Sequence, residues 1–364
     1  MKKLTIVHMS YAWVSGYTDP VSWLKRIDFF VDLTLAMSKF TIVKSYHCIA
    51  YDGTEKKGDV MFHFFNVGKF GTVLPMRIHS SLRELNPDAV IVHGLIFPLQ
   101  LILLRRALGS RVKIVVQHHA EQPSRFIRAY VQRMADRCVD AYFFAAQALA
   151  KSWIDARQIK DRSKVYEVLA VSSIFHTTGN DDPSRTNTYL WVGRLDENKD
   201  PLTLMEGFGK FSDDVTTARL TMIYRGGQLL HEVTQFLEKN KNWKERITIK
   251  ENVPHEDLGS WYNDAGFILS TSHYESSGAA VCEGMSCGCI PIVTNIPSFQ
   301  LMTANGKVGF LFTPGDAAGL TKALSESTRI DQAAYRKEVL HHYADHLSND
   351  AVASRIVNII EKLV

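Results

Sequence analysis

The chain has 364 residues, too many for one ordinary hydrophobic core and too few for three, so two domains of roughly 170–190 residues are expected. Hydrophobic residues make up 46% and charged residues 22%, a globular balance that excludes a disordered or fibrous chain. The net charge of +4 is too small to suggest nucleic acid, but it divides unevenly: residues 1–170 carry +10 and residues 171–364 carry −6.

Strand-length apolar runs alternate with helical patterns almost throughout. In the first half the runs are 4–9, 41–49, 88–94, 112–118, 141–146 and 164–170, with helical stretches such as 21–37 and 99–108 between them. Runs rich in Val and Ile and apolar on both faces suit a parallel sheet covered by helices. Residues 176–188, HTTGNDDPSRTNT, break the pattern and read as a linker. The alternation resumes with runs at 188–194, 219–224, 246–250, 266–272, 289–295 and 309–313. The end, NDAVASRIVNIIEKLV, predicts a helix with Val352, Ile356, Ile359, Ile360 and Leu363 on its apolar face. The expected fold class is α/β, with two doubly wound Rossmann-like domains facing across a cleft that holds the ligand.

Five scattered cysteines, Cys48, Cys138, Cys282, Cys287 and Cys289, read as packing thiols rather than a disulfide framework or a zinc site. The N-terminal apolar run is short, interrupted by His8 and Ser10, and lacks a small-x-small cleavage site. No apolar run reaches the about 18 residues of a membrane span. A reduced, cytoplasmic chain is expected.

Polar and glycine residues gather where each predicted strand ends, at His8-Met9-Ser10, His93-Gly94, Gln117-His118-His119, Gly193-Arg194, Arg225-Gly226-Gly227 and His273-Tyr274-Glu275. The densest cluster, STSHYESSGAAVCEG, combines a Ser/Gly turn with a helix beginning near Ala279. Free amides at that helix start form an anion cradle, and Glu275 and Glu283 beside it can accept hydrogen bonds from hydroxyls. In WVGRLDENKDP, Arg194 follows a strand and Lys199 precedes a helix opening at Pro201, a pair able to hold a diphosphate. Bland alternatives are surface pairing of these cations with Asp196, Glu197 or Asp200, and two glutamates on a solvated helix. The stretch RFIRAYVQRMADR sets Arg125, Arg128, Arg133 and Arg137 near one helical face, either a solvated surface or one that meets anionic lipid or a phosphate-bearing acceptor.

GRLDENKD, the E-x7-E of ESSGAAVCE, GMSCGCIPIV and VGFLFTPGDAAGL resemble the retaining GT-B glycosyltransferases of family four, the glycosyl transferases group 1. The likeness covers residues 188–364 in the family's order. It implies an acceptor-binding domain of residues 1–175 plus 347–364, through a returning terminal helix, and a donor-binding domain of residues 187–346. It further implies a retaining hexosyltransferase that moves a hexose-type sugar from a UDP- or GDP-sugar to a glycan or lipid-linked acceptor, in cell-surface polysaccharide or glycolipid synthesis. Arg194 and Lys199 match the family's diphosphate-binding pair, Glu283 the ribose-binding glutamate, and Glu275 the glutamate near the transferred sugar. Gly278, Ala279 and Ala280, beside Ser277, match the turn that contacts sugar or phosphate. Gly193, Gly226 and Gly227 border the nucleotide, and Val253, within residues 252–254, lies where the base is contacted. His118 matches the histidine beside the transferred sugar, with His119 competing for the role. His93, His119 and Gly16 fall on the acceptor side.

Three departures mark this chain. SYAWVSGYTD offers Gly16 alone where paired glycines are usual, Ser276-Ser277 replaces a Gly-aromatic pair, and VLAVSS stands at 168–173 where an asparagine-glycine signature is expected. No Asp-x-Asp occurs, so the two cations are expected to act without a metal or other cofactor. Expected partners are the nucleotide sugar, the acceptor and the inner face of an anionic membrane, met by the basic first half, with no nucleic acid. Competing readings are a nucleotide-sugar epimerase of the same architecture, a glycoside hydrolase using Glu275 and Glu283, and a non-enzymatic sugar-binding protein.

Overall fold

The computed structural model describes residues 3–171, 173–179 and 185–364. Its contacts divide into two compact units, one made of the described residues through Ala170 together with Asn349–Val364, the other of those from Val171 through Ser348. The change of unit falls at Ala170, before the 176–188 stretch read as a linker and the 175–187 bounds that the resemblance implies. Thr178 donates to Asn263 Oδ1 through its N–H at 2.9 Å and its Oγ1 at 3.3 Å, so the described start of the predicted linker packs on the second unit. Residues 172 and 180–184 of the linker and of VLAVSS lie outside the described residues.

The first unit holds strands β1 (Thr5–Val14), β2 (Ile42–Ile49), β3 (Gly53–Lys57), β4 (Val60–Phe64), β5 (Ala89–His93), β6 (Lys113–Gln117), β7 (Ala141–Phe144) and β8 (Val165–Glu167). Their order in the sheet is β3-β4-β2-β1-β5-β6-β7-β8, and β3 is antiparallel to its neighbour β4 while the other pairs are parallel. Alternation along β5 explains the core. Val90 and Val92 enter one apolar cluster, Ala89 and Ile91 the other, and all four are buried because helices cover both faces.

The second unit is a parallel sheet in the order β11-β10-β9-β12-β13-β14, built from β9 (Thr188–Gly193), β10 (Arg219–Tyr224), β11 (Ile247–Glu251), β12 (Phe267–Ser270), β13 (Ile290–Thr294) and β14 (Phe310–Phe312). Doubly wound α/β architecture is therefore present in both units.

Three local expectations change. β1 continues past Met9 to Val14 through a register shift between Met9 and Trp13, so His8 and Ser10 lie within the strand and Gly16 follows its end. The β3–β4 hairpin was not anticipated, because GTEKK on the sheet edge has no apolar run; Gly58, at φ 57°, supplies its turn. The helix expected over 21–37 is two, Pro20–Arg26 and Asp28–Ser38, broken at Ile27.

The terminal helix Asn349–Leu363 buries Val352, Ala353, Ile356, Val357 and Ile360 in the same cluster as Val31 and Met37 of the helix Asp28–Ser38. Ile356→Ala should cost about 2–5 kcal/mol in urea unfolding of the intact chain. A cost below about 0.5 kcal/mol would show that this helix does not share the first unit's core.

Candidate functional site

In the second unit, the loop after β9 is latched to the turn after β12. Asn198 Nδ2 donates to the Tyr274 carbonyl at 3.0 Å, and its Oδ1 accepts from the Tyr274 N–H at 3.1 Å. The His273 N–H reaches the Asn198 carbonyl at 2.8 Å, and Thr271 Oγ1 donates to the Lys199 carbonyl at 2.7 Å. This latch brings Lys199 into an ion pair with Glu275, whose Oε1 also accepts from Ser272 Oγ at 2.7 Å. Arg194 pairs with Asp196 at 2.7 Å but is 67% exposed. The helix Pro201–Asp214 is closed to an outside anion, because Asp200 caps it through the Thr203 N–H at 3.2 Å and also binds His273. The predicted convergence of two cations on that helix start is thereby corrected: both cations hold carboxylates and Asp200 fills the terminus.

The other predicted cradle has no such plug. The helix Ala279–Ser286 begins after Gly278 with no side-chain cap, which leaves the first-turn amides of Ala279 and Ala280 for a ligand. Gly278 adopts φ 62°, and a Cβ there would meet the Phe299 ring at 2.5 Å, so both conformation and space require glycine. Ser277 precedes it, half-buried. Gly227 is equally constrained, since a Cβ would strike the Leu195 backbone, while Gly226 has open space around it. Gly193 is the last residue of β9.

Glu283 lies on the helix Ala279–Ser286 and is buried. Tyr262 Oη donates to its Oε2 at 2.8 Å, and His255 Nε2 meets its Oε1 at 2.9 Å. Burial and the adjacent Glu283 carboxylate push the Tyr262 phenol well above its ordinary value, so it remains a donor. Glu275 and Glu283 therefore have separate sets of partners. Asn198, Tyr262 and His255 were not read from the sequence. His255 stands one residue beyond the 252–254 stretch, and its pairing with a glutamate 28 positions later leaves no local pattern.

In the first unit, His118 and His119 part company. The His118 side chain is 1% exposed, stacks on Phe144 with ring centroids 4.5 Å apart, and bonds through Nε2 to the Glu121 carbonyl at 3.0 Å. His119 faces a cavity beside His93, with Nε2 2.9 Å from His93 Nδ1. Consecutive residues leaving a strand point to opposite sides, which places His119 rather than His118 where a ligand can reach it. His93 Nε2 lies 3.0 Å from His8 Nδ1, which continues the imidazole chain inward. Gly16 is exposed, with nothing near the place its Cβ would occupy. The cysteines are free thiols; burial raises Cys48 and Cys289 to about 12.

Arginine is not the dominant character of the helix Phe126–Ala135. Phe126 is 92% exposed and Ile127 82%, with Tyr130 and Met134 also in solvent. Arg128 folds back onto the Ile96 carbonyl at 2.6 Å, so the exposed stripe is apolar with arginines at its margins. Among the described residues, no helix is long and apolar enough to cross a membrane.

Residues 177–337 match the family model described as Glycosyl transferases group 1. The chain is 25% identical over 212 residues to a probable sucrose-phosphate synthase of Thermosipho melanesiensis, covering 56% of this chain and 48% of that protein. It is also 25% identical over 230 residues to the GDP-mannose:cellobiosyl-diphosphopolyprenol alpha-mannosyltransferase of Xanthomonas campestris, covering 60% of this chain and 59% of that one. The aligned chain thus spans about half the length of the curated relatives it matches. Among solved structures, the sucrose-phosphate synthase of Thermosynechococcus elongatus superposes with a TM-score of 0.69 at 15% identity, over 99% of both chains, which establishes a shared fold.

Burial lowers the imidazoles of His8 and His47 from 6.5 to about 3. The unfolded chain therefore takes up these protons first as pH falls, and stability declines from about pH 6.5 toward pH 3. Each group contributes a loss approaching about 1.4 kcal/mol per pH unit in that window. A thermal-unfolding series from pH 7.5 to 5 should show the melting temperature falling. A flat profile would mean that these rings titrate freely in the fold.

Proposed function

We propose that the chain, whose residues 177–337 match the Glycosyl transferases group 1 family model, is a retaining glycosyltransferase. It moves a hexose-type sugar from a UDP- or GDP-sugar to a glycan or lipid-linked acceptor. The observation that carries this reading is the latched unit of the β9 loop and the 273–275 turn, which holds Lys199 against Glu275, with Arg194 exposed in the same loop on Asp196. The uncapped Ala279–Ser286 terminus follows directly in the chain.

As the bond from the sugar's anomeric carbon to the diphosphate oxygen lengthens, negative charge grows on the diphosphate. Arg194 and Lys199 meet that charge, and the amides of Ala279 and Ala280 meet sugar or phosphate oxygens. The acceptor hydroxyl forms the new bond on the same face, and its proton passes to the departing oxygen, so configuration is retained. With two cations neutralising the leaving group, no metal enters this scheme. Glu283, oriented by Tyr262 and His255, accepts hydrogen bonds from the ribose hydroxyls, and the backbone around Val253, with Gly193, Gly226 and Gly227, borders the nucleotide. Glu275 positions the transferred sugar. On the acceptor side the role assigned to His118 passes to His119, beside His93, because His118 is enclosed by Phe144 and Trp153.

Nucleoside diphosphate should be released from a UDP- or GDP-sugar only when acceptor is added, and Arg194→Ala should lower kcat by about a hundredfold or more. Unchanged turnover of that variant at saturating donor would remove Arg194 from the leaving-group role.

The acceptor reading extends to a membrane. Phe126, Ile127 and Tyr130 stand in solvent beside basic residues of a unit carrying net positive charge, a combination suited to the interface of an anionic bilayer. A polyprenol-linked acceptor is named for the Xanthomonas campestris relative, in keeping with work at the inner face of the cytoplasmic membrane in cell-surface glycan or glycolipid synthesis. The protein should sediment with phosphatidylglycerol vesicles at low salt and much less with phosphatidylcholine vesicles. Ile127→Glu should weaken that binding several-fold. Equal sedimentation with both lipids, or indifference to Ile127→Glu, would refute this contact.

A further inference from the structure

A cavity of about 320 Å³ opens at the carboxyl edge of the first unit's sheet, within the usual size of small-ligand pockets, about 300–1,000 Å³. Its walls are Trp23, Ile27, Phe29 and Phe30 from the helices after β1, and Ile96 and Phe97 from the segment after β5. Few polar side chains reach it: His47, His93, His119, Glu121 and two serines. A sugar ring needs donors and acceptors on most sides, and these walls offer it aromatic and aliphatic carbon instead.

The imidazoles fix the polar character of the site. His8 Nε2 lies 3.2 Å from Met37 Sδ, and a thioether sulfur can only accept, so His8 Nε2 carries the hydrogen. His8 Nδ1 must then accept from His93 Nε2, and His93 Nδ1 must accept from His119 Nε2. The outermost ring is left with an unprotonated Nδ1, an uncharged acceptor suited to a hydroxyl. Burial holds His93 well below its ordinary value and lowers His119 as well, which favours the uncharged form of both rings, while the Glu121 carboxylate accepts from the His119 backbone N–H at 2.7 Å at the edge of the cavity.

We propose that the cavity seats the hydrocarbon chain of a lipid-type acceptor, with the acceptor's hydroxylated head at His119. The proposal rests on the transferase reading and specifies its acceptor. A lipid chain is favoured by continuity. Ile96, which lines the cavity, is 39% exposed beside Leu99 at 40%, and its carbonyl is held by Arg128 of the helix that exposes Phe126 and Ile127. Arg128 thus ties the helix that exposes Phe126 and Ile127 to the segment whose Ile96 lines the cavity.

The test uses n-alkyl β-D-glucopyranosides from methyl to octyl, below their micellar concentrations, titrated calorimetrically into the full chain. Affinity should rise by about fourfold for each methylene that becomes buried. Ala12 lines the cavity and is itself exposed, so Ala12→Trp fills the space from its rim. That variant should bind methyl and octyl glucoside alike while keeping its melting temperature. Should it fail to fold, Phe29→Ser, at a half-exposed position, should flatten the same series. Octyl glucoside binding no tighter than methyl glucoside overturns the proposal. So does a chain-length dependence that survives Ala12→Trp, or phenyl glucoside binding tighter than octyl. Binding of UDP and GDP is measured in parallel: if neither binds while the chain-length series holds, the transferase reading fails and the hydrocarbon site stands.

Discussion

Parallel strands covered on both faces govern where this chain can do chemistry. Along β5, β6, β12 and β13 nearly every side chain is enclosed, so a polar group inside the sheet would lack partners and one on its faces would displace core. Only where a strand ends do backbone amides, glycines with unusual dihedrals and charged side chains become compatible with folding. The turn after β12 shows what this requires. Thr294 Oγ1 donates to the Ser272 carbonyl at 2.6 Å and Ser298 Oγ to the Glu275 carbonyl at 2.6 Å, so small hydroxyls replace the ladder that the backbone has just left.

Charge divides between the units in a way that separates local from long-range electrostatics. The terminal helix adds equal numbers of basic and acidic residues to the first unit, so +10 and −6 describe the compact units as well as the halves. The acidic unit nevertheless carries the proposed diphosphate site. Arg194 and Lys199 must therefore act through short contacts rather than through the net field, which would repel a dianion. The first unit shows the complementary case, with positive charge spread over its surface and its interior histidines kept neutral by burial.

Much of this was legible because periodicity and strand ends are local signals. The predicted strand runs in both units and the apolar face of the terminal helix follow from spacing, and the helix starts at Pro201 and Ala279 from a proline at the first helical position and a Ser/Gly turn. What escaped depends on contacts distant in sequence. Strand β3 is a charged edge held only by its pairing with β4, and β1 outlasts its apolar run because β2 remains beside it through the register shift. His118 and His119 cannot be ranked without knowing which side of β6 is packed. Asn198, Tyr262 and His255 act on partners 21 to 76 positions away. The stripe of Phe126, Ile127 and Tyr130 was hidden by its arginines, because a sequence shows that a helix is amphipathic but not which face lacks a neighbour.

The two cations of the β9 loop are held differently, and that difference bears on how a diphosphate could be received. The pair of Arg194 with Asp196 is exposed on its arginine side, where solvent screening leaves such contacts worth about 0–1 kcal/mol, so exchanging the carboxylate for a diphosphate costs little. Lys199 and Glu275 are both largely shielded, and the latch through Asn198 and Thr271 fixes the backbone that carries them. An ammonium has three donors, so Lys199 can keep Glu275 and still offer hydrogens to phosphate oxygens. On the transferase reading Arg194 is then the mobile cation that follows the donor in, and Lys199 the preorganised one. A cation already in place when charge begins to grow needs no reorganisation at that moment, and on this reading that is what the Glu275 contact supplies to Lys199 while Arg194 stays at the surface.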